Sequence, residues 1–203
     1  MRTFSVPLPR LLAVLLICPL GLAAQVADPP PPEVVADEFN RGFQTMAWAG
    51  LVQRIHPDAL AYIRQALDIL MDVDTTGFVL DRLLGGTDPD EYPELPDEEA
   101  VRRTLAGVQR EVPGLLSSLT TRRTEVLGVV SEGEDRHVVY RTLALLQGAV
   151  PRVEVMTLSR WEGRWKVRDA SDIRTLHTAI RGIPLPRGGS PDRGTPTEGL
   201  RRP

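Results

Sequence analysis

The hydrophobic period of this chain changes once, and that change limits the folds open to it. From Val34 to about Gln109 the apolar residues recur at helical spacing; from Arg123 to Arg168 they alternate as in strands. Helices first and an antiparallel sheet afterwards is an α+β layout, in which amphipathic helices must cover one face of the sheet. The spacing predicts a first helix running to about Ile55, with Phe39, Phe43, Met46, Ala47 and Gly50 on one face. Pro57 suits the first turn of a second helix that carries Leu60, Ile63, Leu67 and Leu70. The stretch TGFVLDRLLGG is a third helical segment, stopped by its paired glycines, and a fourth helix runs from about Asp97 to Gln109. Strands are expected at 123–131, 136–147, 152–161 and 164–170, then a short closing helix with Ser171 as candidate cap. Glu162-Gly163 has the composition of a two-residue hairpin turn, so Trp161 and Trp165 are expected to pair across strands.

The ends read differently from the middle. Residues 1–24 have the form of a signal peptide: Arg2 and Arg10 flank an apolar core at 11–24 that ends in small residues. That core is short for a membrane span, which needs roughly 20 apolar residues. The reading is an exported protein, periplasmic or secreted, with no span after cleavage. A proline-rich linker at 25–33 leads into one α+β domain at 34–181, which contains an acidic loop at 87–97. The tail at 182–203 holds five prolines and five glycines and too little apolar surface to offset chain entropy, so disorder is expected there.

Cleavage removes Cys18, the only cysteine, so the mature chain has no disulfide and no thiol chemistry. It also removes Arg2 and Arg10, which leaves 22 basic residues against 27 acids, a formal charge of −5. That balance argues against nucleic-acid binding, which calls for a clustered basic face.

Several patterns that carry chemistry elsewhere fail on spacing. The run DVDTTG (72–77) opens like a calcium loop, but Leu83 stands where the bidentate glutamate belongs. The run 88–99 has Glu99 in that place, but Pro93 where a glycine must turn. The three histidines, His56, His137 and His177, fall in three elements and have no zinc spacing, so no metal and no cofactor is expected. LLSSL lacks the glycines of a nucleophile elbow, and no phosphate-cradling glycine loop is present.

Two constellations remain. His56, Asp58 and Tyr140 are the catalytic candidates, with Tyr62, Asp169 and Asp172 as polar groups that could face the same pocket. Phe43, Trp48, Tyr62 and Trp161, with Trp165, are candidates to line an apolar binding site. Each has a plainer reading. The aromatics suit a core, and His-Pro-Asp at 56–58 suits a corner. There His56 closes one helix, Pro57 opens the next and Asp58 meets its positive end.

An aromatic first helix, the corner HPDAL (56–60), further helices and a closing meander ending SRWEGRWKVRD (159–169) resemble the nuclear-transport-factor-two-like superfamily. The likeness spans residues 34–172 and is nearest to exported bacterial members; the stretch 75–110 is an elaboration. It implies a cone, with a curved four-stranded sheet wrapped against the helices around an apolar pocket. It does not imply a reaction, because that superfamily holds isomerases, dehydratases and epoxide hydrolases beside non-catalytic binding and dimerisation modules. The expectation adopted is an exported, non-catalytic binding or protein-interaction module. It would take a small apolar ligand or a protein partner, including a second copy through the sheet. The alternative is an isomerase or dehydratase that uses a pocket histidine–carboxylate pair.

Overall fold

Residues 28–145 and 150–186 are described by the computed structural model. The expected signal peptide with Cys18, the start of the linker (25–27), the end of the second strand and most of the tail lie outside the described residues.

Helix α1 (Pro32–Thr45) opens with proline at its first turn, where the missing N–H costs nothing. It does not continue to Ile55 as the periodicity predicts. Met46 takes φ 55°, a left-handed cap whose N–H returns to Gly42 and Phe43, and the chain folds back into α2 (Trp48–Val52). The two helices pack closely there: a Cβ on Gly42 would stand 3.0 Å from Leu51 Cδ1 and 3.2 Å from its Cβ, tighter than ordinary contact. Phe39 and Phe43 are buried as expected, but Met46 and Ala47 face solvent.

Helix α3 (Pro57–Val73) begins at the predicted corner. It ends at Asp74, whose carboxylate accepts from the amides of Thr76 at 2.9 Å and Val79 at 2.7 Å. The residue that looked like a calcium ligand instead ties the end of α3 to the first amide of a single π-helical turn, Val79–Leu83. Gly85 and Gly86, at φ 73° and 80°, end that turn. In the acidic loop Tyr92 is buried, with its hydroxyl donating to Asp68 at 2.6 Å and Arg64 lying over its ring. Helix α4 (Asp97–Glu111) starts with three acids in its first turn, complementary to the helix dipole. The short α5 (Ser117–Thr120) leads into the sheet.

Strands β1 (Arg122–Glu132), β2 (Asp135–Ala144), β3 (Arg152–Trp161) and β4 (Arg164–Asp169) form one antiparallel sheet in the order β1-β2-β3-β4. Helix α6 (Ser171–Arg181) follows. The α+β expectation is borne out: helices α1, α3 and α6 pack on the inner face, where Val138, Tyr140, Met156, Leu158 and Val167 are buried. Glu162 and Gly163 adopt positive φ, 49° and 77°, and make the expected two-residue turn.

Two details differ from the sequence reading. Trp161 pairs with Arg164 and Trp165 with Arg160, so the two indoles point to opposite faces. Ser171 does not cap α6. The cap position is Ala170, and the Ser171 hydroxyl donates instead to Glu154 on β3 at 2.9 Å.

Candidate functional site

The candidates from the sequence separate into three places. Phe43 and Trp48 are buried in the core, edge to face at 6.1 Å, and Trp48 Nε1 donates to Gln109 at 2.7 Å. Phe39, Phe43, Leu51, Ile63, Tyr140 and Met156 fill the layer between helices and sheet, where the apolar pocket was expected.

His56, Asp58 and Trp161 come together at the corner. The His56 amide donates to Val167 at 2.8 Å, which lays Ile55 beside the β4 edge as a one-residue parallel bridge. Its ring Nδ1 accepts from the Asp58 amide at 3.2 Å, so the imidazole caps α3 in its neutral form. Burial holds the His56 pKa below the ordinary imidazole value; Asp58 opposes the shift, while Arg168 and Lys166 add to it. The indole of Trp161 meets that imidazole edge to face at 5.3 Å. Tyr62, one turn into α3, stacks on His177 of α6 with ring centroids 4.0 Å apart.

Tyr140 lies apart, in a polar network under the sheet. Arg122 and Asp172 are both buried and form a bidentate pair. Beside them, the Tyr140 and Ser171 hydroxyls are 3.5 Å apart, Ser171 donates to Glu154, and Thr142 donates to the same Glu154 oxygen at 3.3 Å. Burial alone would lower the Arg122 pKa, but its bonds to Asp172 outweigh that and keep it charged. Burial, and then the Asp172 charge, push the Tyr140 phenol up, so it stays a neutral donor. Sequence reasoning missed Arg122 and Glu154. Each stands in a polar-rich strand with another charged residue nearby, and nothing in the alternation tells which of them turns inward.

Two open clefts flank the sheet. One of about 860 Å³ runs between the chain's entry at Asp28–Pro30, Glu38, Arg54 and the β3–β4 hairpin. The other, of about 530 Å³, is walled by Asp58, Tyr62, Asp135, Thr157, Arg168, Asp169, Ile173 and neighbours. The outer face of the sheet carries the apolar side chains. Val139, Val153, Val155 and Leu143 share it by register, and Val153 and Val155 are 64% and 48% exposed. No helix among the described residues covers that face. Among the described residues no group of three or more metal-ligating side chains occurs, and no helix is long and apolar enough to cross a membrane.

Comparison with protein-family models, with curated proteins and with solved structures finds no match to this chain.

Proposed function

We propose that this chain is an exported binding module of nuclear-transport-factor-two-like type that pairs with a second copy of itself through the outer face of its sheet. The observation that carries the reading is the apolar patch of Val139, Leu143, Val153 and Val155 on an uncovered face. Contiguous exposed apolar side chains rimmed by charge mark an interaction surface.

Charge does not oppose the pairing. Glu125 and Arg141 face each other on adjacent strands at that end of the sheet, so the two charges beside the patch are compensated within one copy. Area sets the strength. Half of three adjacent strands covers roughly 20 Å by 15 Å on each copy. Two such footprints fall below the roughly 1,200 Å² of a stable interface, so the pair is weak and transient. A small apolar ligand is the other occupant this reading allows, and native mass spectrometry of the mature protein reports ligand and pairing together. The isomerase alternative gains no support at His56, whose Nδ1 is already engaged by the helix it caps.

The test is sedimentation velocity over a concentration series. A monomer–dimer equilibrium is expected, and Val155→Glu should abolish it while leaving the circular dichroism spectrum unchanged. A wild-type chain that stays monomeric at millimolar concentration, or a Val155→Glu variant that pairs as well as wild type, overturns the pairing. Export is tested by the amino terminus of the secreted chain, which should begin between residues 24 and 28.

A further inference from the structure

The polar end of the outer sheet face holds an arrangement that the pairing reading does not use. Thr157 and His137 are directly opposed on β3 and β2, and Thr157 Oγ1 lies 3.1 Å from His137 Nδ1. The other ring nitrogen, Nε2, is 2.9 Å from Glu132 Oε2. With the proton on Nε2 donated to the carboxylate, Nδ1 is left as acceptor for the threonine hydroxyl. That order, hydroxyl to imidazole to carboxylate, is the geometry by which a weak nucleophile is activated and its base oriented. Thr157 also lines the 530 Å³ cleft beside α3 and α6, so the hydroxyl opens onto space a small molecule can enter.

A second feature converges on the same place. Register shifts between Thr157 and Leu158, with Arg168 the extra residue on β4. Bulges of this kind re-aim a side chain, and Arg168 lines the same cleft. Its nearest carboxylates, Asp58 and Asp135, stand 3.8 and 4.0 Å away, too far for hydrogen bonds, so its N–H groups are available to a ligand. Tyr62, Ala59 and Ile173 give the cleft an apolar wall.

The geometry points to Thr157 as an acyl-accepting nucleophile for small aryl esters, with His137 as its base, Glu132 as the positioning residue and Arg168 as the oxyanion donor. Thr157 Oγ1 attacks the ester carbonyl carbon and its proton passes to His137 Nδ1. The carbonyl electron pair moves onto oxygen beside Arg168. On its return the bond to the aryl oxygen breaks, and that oxygen takes the proton from the imidazolium. Water then gives a proton to the same imidazole and attacks the acyl carbonyl; the bond to Thr157 Oγ1 breaks, that oxygen takes the proton back and the acid leaves, so one ester and one water give one acid and one phenol. Glu132 is largely exposed, which makes this a slow site.

The experiment treats the mature chain with p-nitrophenyl acetate, follows nitrophenolate release and maps acetyl groups by peptide mass spectrometry. Wild type should carry acetyl on Thr157. Thr157→Val and His137→Gln should lose it, with release slowed about tenfold or more, while Thr157→Ser retains it. Glu132→Ala should lower kcat for release with KM unchanged, and Glu132→Gln, whose amide oxygen can still accept from His137 Nε2, should restore it. The extent of acetylation should not change across the concentration range of the monomer–dimer equilibrium, which separates this inference from the pairing. Acetyl found only on Lys166 or the amino terminus, or equal release by Thr157→Val and wild type, overturns the assignment.

Discussion

Gly107 and Leu83 touch backbone to backbone: a Cβ built on Gly107 would stand 2.3 Å from the Leu83 carbonyl oxygen and 2.5 Å from its Cα. Helix α4 packs there directly on the end of the π-helical turn, which is why that turn can bury Val79 and Leu83.

The first prediction reverses the usual sign of a helical glycine substitution. Ala in place of Gly in a helix interior ordinarily gains about 1 kcal/mol. At Gly107 the added carbon meets backbone that cannot rotate away, so α4 and the turn must separate. Gly107→Ala should therefore cost about 2–3 kcal/mol, as overpacking does. Urea unfolding of the variant checks it, and Gly114→Ala, with nothing within 4 Å of its Cβ, is the control.

The second concerns the corner. His56 Nδ1 satisfies the Asp58 amide at the start of α3, so His56→Ala should cost about 1 kcal/mol, as loss of a cap does. His56→Asn, whose side-chain oxygen can accept the same bond, should recover most of it. Sheet pairing should be unchanged in both. A His56→Ala chain as stable as wild type that no longer self-associates contradicts the structural role.

These two sites differ in how far the sequence announced them. The His-Pro-Asp corner, the Glu162-Gly163 turn and the acidic start of α4 are local signals, each fixed by the backbone preferences of a few adjacent residues. The break at Met46 is not local: it goes with the close approach of Leu51 to Gly42 across two helices, and methionine carries no mark of a left-handed cap. Parity misled at Trp161 and Trp165, since a two-residue turn makes Arg160, not Trp161, the partner of Trp165. The Thr157–His137–Glu132 series needs the β1-β2-β3 register before its members can be seen as neighbours at all.

The third prediction is a pH dependence. His177 is buried against Tyr62 and, like His56, titrates below the ordinary imidazole value, chiefly through burial and then through Arg181. The native state therefore disfavours the proton that the unfolded chain accepts below about pH 6.5. Stability should be full above that value and fall as pH drops through it toward the lower native pKa values. Urea midpoints between pH 7.5 and 5.5 at fixed salt should decline, and the double variant His56→Asn/His177→Phe should flatten the decline. A midpoint that rises on acidification contradicts the sign.

The last prediction turns on the buried pair that docks α6 on β1. Arg122 and Asp172 are 7% and 1% exposed, and their two parallel hydrogen bonds are the polar link between the start of the sheet and the first turn of the last helix. Two opposed effects decide what each substitution does. Taking both charges out of water costs several kcal/mol per ion, and their attraction repays that only while both are present. Arg122 is also incompletely satisfied, since its Nε is buried with no partner among the described residues. Asp172→Leu leaves a guanidinium uncompensated beside the Tyr140 hydroxyl and should cost about 3–5 kcal/mol. Arg122→Met strands the carboxylate and should cost a similar amount, less the relief of the unpaired Nε. The double variant Arg122→Met/Asp172→Leu removes both charges at near-constant shape, so it should unfold within about 1–2 kcal/mol of wild type. A double-mutant cycle by urea unfolding measures this directly. Additive losses in the double variant would show that the two charges are not coupled and would overturn this account of the pair.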